Sequence, residues 1–154
     1  MPGAVRPGSF DGGFRVGGLG EVAIRCRDLD AMEAFYADVI GLERLSRRDG
    51  GIVFFRIAEG FAGHTAVLAL FDASGPRGRG APGAELETGA RSSLHHLALS
   101  LTAEAQDAAV AWYERIGRPH RIEDFAWIGW RGVFTQDPEG NTVELVAAVG
   151  KPDE

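Results

Sequence analysis

Residues 21–26 alternate strictly between apolar and mixed positions. This period of two predicts a β-strand whose apolar face carries Val22, Ile24 and Cys26. The opposite face begins with a carboxylate, Glu21, at a point where the chain otherwise turns apolar. The pattern therefore raises the question of what that carboxylate does.

The next apolar positions follow a helical period. They form a stripe made of Leu29, Met32, Phe35, Tyr36, Val39 and Ile40. Asp28 or Asp30 can cap the start of this helix, and Gly41 supplies its C-terminal stop. Strand-like runs then flank a hairpin turn signal at residues 49–51, and a further apolar strand closes the half. The predicted order of elements is βαβββ.

The second half of the chain repeats this order. An alternating run precedes a helix that Thr102 caps and Gly117 ends. Two strands come next, and the sequence DPEGN at residues 137–141 predicts a tight turn before the last strand. A shift of 75 residues, the difference between positions 21 and 96, places Glu21 on His96. Repetition of this kind predicts two homologous modules in one α+β domain.

The two predicted sheets each need one face covered by a helix, so the purely apolar face of each strand should point towards that helix. The other faces then carry small and ionisable residues, among them Glu21, His96 and Glu144. Buried ionisable groups are costly unless they are paired or bind a metal. Their matched positions therefore predict the lining of a functional cavity.

Composition shifts divide the chain into five parts of a single domain. The two modules are predicted at residues 19–71 and 93–148. Residues 1–18 are interpreted as an irregular N-terminal arm and residues 149–154 as a tail. The Gly/Pro-rich residues 72–92 are interpreted as a linker, with a mobile flap over the site as the alternative.

Charge and composition exclude several classes of protein. The 154-residue chain has a net charge of −6, which argues against nucleic acid as its partner. No apolar run approaches the length of a membrane span, and the N-terminus has no secretory pattern, so we expect no membrane association. The single cysteine, Cys26, excludes an internal disulfide and fits a reducing compartment. We therefore expect a cytoplasmic protein.

Two segments carry a resemblance to a known family. DLDAMEAFYADVIGLE at residues 28–43 and TQDPEGNTVELV at residues 135–146 resemble the vicinal oxygen chelate superfamily. This group includes glyoxalase I, bleomycin-resistance proteins, fosfomycin-resistance enzymes and extradiol dioxygenases. The resemblance implies that the two modules form a cupped, barrel-like mixed sheet with the helices on its outer face. It also implies a divalent metal, a small-molecule ligand and a homodimer.

The resemblance implies metal ligands on the first and last strand of each module. The corresponding residues here are Glu21, Ala69, His96 and Glu144. Ala69 has no donor atom where glyoxalase I has a carboxylate, so that activity is disfavoured. The implied site is therefore Glu21, His96 and Glu144, with Glu144 also the candidate catalytic residue. The expected cofactor is a divalent ion, Mn, Fe, Ni, Mg or Zn, and two carboxylates favour the harder ions Mn, Mg and Fe(II) over Zn.

Five further residues are candidates for binding the substrate. They are Arg25, Arg56, Trp127, Trp130 and Arg131. In a site without metal, the arginines would instead pair with Glu21. The tryptophans flank a predicted bend, and packing or a dimer contact is their alternative role. His95 is next to His96 on the strand and should therefore point to the opposite face.

Two functions are compatible with these residues. The first is a metal-dependent lyase, isomerase or dioxygenase acting on a small molecule chelated through neighbouring oxygens. The second is a metal-free binding protein that sequesters a ligand, as the bleomycin-resistance members do. Convergence of Glu21, His96 and Glu144 within bonding distance of one ion would favour the enzyme. Side chains splayed apart and paired with arginines would favour the binding protein.

Overall fold

The computed structural model describes residues 12, 16–75, 92 and 94–150, and its elements follow the predicted order. The first module contains β1 (Glu21–Cys26), α1 (Leu29–Ala34) with a π-helical continuation (Phe35–Val39), β2 (Glu43–Arg48), β3 (Ile52–Phe61) and β4 (His64–Asp72). The second contains β5 (Leu97–Ser100), α2 (Ala103–Arg115), β6 (Arg121–Phe125), β7 (Trp130–Gln136) and β8 (Thr142–Ala148). The prediction of an α+β fold with two tandem βαβββ modules is confirmed. The interpretation of residues 72–92 as a linker or a flap and that of residues 1–18 as an irregular arm fall mostly outside the described residues.

Each module forms its own four-stranded mixed sheet. The strand orders are β1-β4-β3-β2 and β5-β8-β7-β6, and the first two strands of each order run parallel. Val22 pairs with Leu68 in the first sheet, and Leu97 pairs with Val143 in the second. Each residue of the second pair lies 75 positions after its counterpart in the first pair. The internal repeat of the sequence is therefore preserved in the pairing register.

The register also sets out two equivalent rows of side chains across the sheets. In the first sheet, Ala69 of β4 lies between Ala23 of β1 and Phe54 of β3. In the second sheet, Ala98 and Phe134 flank Glu144 of β8 in the same way. The two rows differ in kind only at their centre, where one module has a methyl group and the other a carboxylate.

Both helices begin at predicted caps. The Asp28 side chain accepts a hydrogen bond from the backbone N–H of Ala31, and Thr102 accepts one from that of Ala105. Asp28 rather than Asp30 therefore caps the first helix. Among the helices of the described residues, none is long and apolar enough to cross a lipid bilayer.

The two modules share one hydrophobic core, and the DPEGN turn joins them. The hydroxyl of Tyr36, in the first module, donates a hydrogen bond of 3.0 Å to Oδ2 of Asp137 in that turn. The two carboxylate oxygens of Glu139 accept from the backbone N–H groups of Arg27 and Asp28, at 2.7 and 3.0 Å. The turn thus docks against the start of α1 and fixes the second module to the first.

Candidate functional site

A cavity of about 500 Å³ lies against the face of the second sheet that is turned away from the core. Alternate residues of the strands line it, including Ala98, Glu144 and Val146, while Leu99 and Leu145 between them are buried in the core. This is the face that the alternation assigned to small and ionisable residues. The cavity therefore lies where the pattern predicts it.

His96 and Glu144 are in direct contact on the cavity wall. Nε2 of His96 lies 3.1 Å from Oε2 of Glu144. The glutamate is only 6% exposed, whereas about a third of the His96 side chain is accessible. The imidazole thus gives the buried carboxylate a polar partner within hydrogen-bond distance, which a buried polar group requires.

His95 lies beside His96, so the expectation that it points away is wrong. The Nδ1 atoms of the two rings are 2.8 Å apart, and both residues line the cavity. The reason is that β5 begins only at Leu97. Strand alternation therefore does not apply to the two histidines that precede it.

Glu21 does not join this pair within one chain. It is exposed on the first sheet, where it pairs with Val67, and Arg56 is the next residue of the same row. Across the described ranges, no three His, Cys, Asp or Glu side chains lie close enough to hold a metal ion. The predicted three-ligand set is therefore not assembled within a single copy of the chain.

The predicted substrate-binding residues lie in two separate places, the first sheet and the cavity. Arg25 lies two positions beyond Ala23 on β1, on the same face as Glu21 and Arg56, so these residues are grouped on the first module. Trp127 and Trp130 instead line the cavity of the second module and are 68% and 45% exposed. The tryptophans therefore form a partly open aromatic rim close to His96.

Arg131 lies on the opposite side of the second sheet from the cavity. Its guanidinium donates to the side chains of Gln106 and Asp107, both on α2. Trp130 and Gly132 take the cavity side of β7, so the residue between them must face the helix. Arg131 therefore faces α2 and not the cavity, so its predicted role in substrate binding is not supported. It holds α2 to the sheet instead.

Arg121 is a cavity residue that the sequence pattern had not singled out. Its guanidinium carbon lies 4.4 Å from the centre of the Phe134 ring, and it also bonds the carboxylate of Glu123. Arg121, Glu123 and Phe125 are alternate residues of β6, and all three line the cavity. This alternation along β6 was the sequence signal from which Arg121 could have been predicted to face the cavity.

The geometry of the His96–Glu144 pair fits two neighbouring positions around a divalent ion. Two donors each about 2.1 Å from one ion and at a right angle are about 3.0 Å apart. The observed separation of 3.1 Å is close to this value. Imidazole nitrogen and carboxylate oxygen are also suitable ligands for the ions named above. One chain therefore brings together two side chains that could hold an ion.

Comparison with known proteins gives one family and several similar structures. The model of the Glyoxalase/Bleomycin resistance protein/Dioxygenase superfamily matches residues 18–145. A lactoylglutathione lyase from Agrobacterium tumefaciens is 28% identical, with a TM-score of 0.62 over 84% of this chain and 92% of that one. No curated protein matches the chain.

Two less similar structures share the fold. A glyoxalase/bleomycin resistance protein/dioxygenase from Nocardioides is 23% identical, with a TM-score of 0.65 over 92% of this chain and 91% of that one. A fosfomycin resistance protein, FosX, from Listeria monocytogenes is 18% identical, with a TM-score of 0.60 over 86% and 94% of the two chains.

Proposed function

Because the chain belongs to the Glyoxalase/Bleomycin resistance protein/Dioxygenase superfamily, we propose that it is a metal-dependent enzyme acting on a small molecule with two neighbouring oxygen donors. The reaction is of lyase, isomerase or dioxygenase type. The observation that supports this function most directly is the His96–Glu144 pair, 3.1 Å apart on the wall of a cavity of about 500 Å³. A cavity of that size suits a small-molecule ligand.

We further propose that the third ligand, Glu21, comes from a second copy of the chain. Its exposure on the first sheet supports this, because an exposed carboxylate can reach a neighbouring molecule. The internal repeat supports it as well, since the shift of 75 residues that relates the two modules makes Glu21 the counterpart of His96. In a homodimer, each site would then contain His96 and Glu144 of one copy and Glu21 of the other.

The residues of the cavity have distinct roles in this proposal. His96 and Glu144 hold the ion, which when bound supplies Lewis acidity that stabilises negative charge on a substrate oxygen. Trp127 and Trp130 contact the apolar part of the substrate and exclude water from it. Arg121, held over Phe134, attracts the negative charge of a chelating substrate.

The metal content of untagged, chelator-free protein tests this function. We expect near-stoichiometric metal in the wild type and its loss in both Glu144→Gln and Glu21→Gln. Glu43→Gln is the matched control, because Glu43 is exposed and pairs with Arg56 in the same row of the first sheet as Glu21. Loss of metal in Glu144→Gln alone would contradict the role of Glu21.

Mixing the two variants tests whether the site is shared between copies. A dimer of one Glu21→Gln chain and one Glu144→Gln chain contains one site with all three ligands. Unfolding and refolding the two variants together should therefore restore part of the metal that each lacks alone. Absence of any recovery would show that Glu21 does not act across a dimer.

A metal-free binding protein is the alternative function. The observation that favours it is the direct contact of His96 with Glu144, which satisfies the carboxylate without an ion. In that case, the acidic chain and its aromatic rim would bind a cationic apolar ligand. Failure to take up Mn, Fe(II), Ni or Zn on reconstitution, together with ligand-dependent quenching of tryptophan fluorescence, would support the binding protein.

A further inference from the structure

The contact between His95 and His96 has no role in the function proposed above. Their Nδ1 atoms lie 2.8 Å apart, and the two rings meet edge to face with centres 5.1 Å apart. A neutral imidazole carries a proton on one nitrogen and a lone pair on the other. One of the two histidines must therefore donate to the other.

Glu144 sets the direction of this hydrogen bond. An ionised carboxylate only accepts, so Nε2 of His96, 3.1 Å from Oε2 of Glu144, carries the donated proton. The Nδ1 atom of a neutral His96 then has the lone pair. Nδ1 of His95 must in consequence be the donor across the 2.8 Å contact.

We propose that His95 is a positioning residue for His96, held in its Nδ1–H tautomer by this directed chain of hydrogen bonds. Bonds at opposite nitrogens fix the His96 ring, which precedes the regular part of β5 and is partly accessible. The remaining nitrogen of His95, Nε2, is left as an acceptor. Because His95 lines the cavity, this nitrogen favours, in the metal-free protein, a ligand that presents an O–H or N–H group.

The ¹⁵N chemical shifts of the histidine rings in metal-free protein test the tautomers at about pH 8.5, where histidines are ordinarily neutral. We expect His95 to be mainly in the Nδ1–H form and His96 in the Nε2–H form. His120 is an internal reference, because its Nδ1 lies 2.8 Å from the carbonyl oxygen of Arg118, which only accepts. A His95 ring mainly in the Nε2–H form would overturn the proposal.

Glu144→Leu tests the coupling through His96, since Glu144 directs His95 without a hydrogen bond to it. Removal of the acceptor should shift His95 towards the Nε2–H form and leave His120 unchanged. Glu123→Gln is the matched control, because Glu123 also lines the cavity but is bonded by Arg121. A His95 tautomer that does not respond to Glu144→Leu would contradict the inference, and wild-type shifts decide it even if that variant is unstable.

Titration with Zn²⁺ provides a second measurement of the His95 tautomer. This measurement rests on the proposed function, because it requires that His96 binds a metal. Coordination at Nε2 of His96 would release that proton to solvent. The Nδ1 proton of His95 would pass to Nδ1 of His96, and His95 would take a proton from solvent at Nε2. The pair keeps its total number of protons, and we expect the His95 tautomer to invert as Zn²⁺ is added.

Variants of His95 complete the test. His95→Phe keeps the ring but loses the hydrogen bond, so Zn²⁺ affinity should fall by about 10–100-fold. His95→Gln retains a donor and an acceptor and should recover much of that affinity. Equal affinities of wild type and His95→Phe would overturn the positioning role. Absence of binding of Zn²⁺, Mn²⁺, Fe²⁺ and Ni²⁺ in the wild type would count against the proposed function, while the metal-free shifts would still decide the role of His95.

Discussion

A β-carbon on Gly132 would lie 2.5 Å from Oε1 of Glu144 and 2.7 Å from a ring carbon of Phe134. The glycine of β7 therefore provides the space in which the carboxylate meets His96. Gly132→Ala should displace Glu144, weaken metal binding and destabilise the fold by about 1–3 kcal/mol, as overpacking does. Urea unfolding and metal content measure the two effects.

Gly150→Ala is the control for this substitution, because nothing lies within 4 Å of a β-carbon built there. It should change neither the free energy of unfolding nor the metal content. If Gly132→Ala behaved like this control, the Glu144 carboxylate would not be confined by the glycine.

The hydroxyl of Tyr36 links the modules, and its loss should be costly. Burial and the nearby Asp137 carboxylate raise the pKa of Tyr36 above its ordinary range, so the hydroxyl remains a donor. Tyr36→Phe should lower the free energy of unfolding by about 1.5–3 kcal/mol, the range for a hydrogen bond to a charged group. Equilibrium unfolding in urea measures this loss.

Tyr113→Phe is the matched control, since the Tyr113 hydroxyl is buried and has no hydrogen-bond partner in the part of the chain that is described. Its removal should be neutral or stabilising, because an unsatisfied buried group costs free energy. Equal losses in the two variants would show that the Tyr36–Asp137 bond adds nothing beyond packing.

The thiol of Cys26 should be unreactive in the folded protein. Burial, with the charges of Glu139 and Asp137, raises its pKa to about 12, so little reactive thiolate forms near neutral pH. A thiol reagent should label Cys26 only in denaturant. Fast labelling of the native protein would contradict the burial of Cys26 in the core at the end of β1.

The same pKa predicts how stability depends on pH. The value in the folded state lies above the ordinary 9.0, so the thiol's contribution is intact below pH 9.0 and is lost as the pH rises towards about 12. The melting temperature of the wild type should therefore fall more steeply across that pH range than the melting temperature of Cys26→Ala. Parallel curves for the two proteins would refute this.

The buried amide of Gln106 should matter for stability and not for the site. Its Nε2 donates to the carbonyl oxygens of Arg131 and Leu145, at 2.7 and 2.8 Å, and so joins α2 to two strands. Gln106→Leu should cost about 1–3 kcal/mol while leaving metal content unchanged. A parallel loss of metal would mean that this helix contact also shapes the cavity.

Local patterns predicted the elements well, because caps, turns and strand alternation depend on neighbouring residues. The 75-residue repeat also predicted the shared register, since equivalent positions keep equivalent partners. Equivalence does not imply proximity, however: Glu21 begins β1, and its counterpart His96 lies just before β5, in the other module. For the same reason the sequence could not show whether one copy of the chain completes the site.

The role of the DPEGN turn was also beyond local reasoning. The turn itself follows from Pro138 and Gly140, whereas its docking to the first module joins residues about a hundred positions apart. Contacts between residues so far apart in the sequence depend on how the modules pack, and the periodicity of the sequence does not encode this packing. The position of His95 was missed because the pattern did not show where β5 begins.

The matching rows Ala23–Ala69–Phe54 and Ala98–Glu144–Phe134 have a consequence for the history of the molecule. Duplication of a module supplies two scaffolds in one frame, and each is then free to diverge. At the centre of the rows, one half has an acid and the other an inert methyl group. Within these rows a single position thus separates the two halves, and Ala69→Glu is the natural point from which to engineer a second acidic centre.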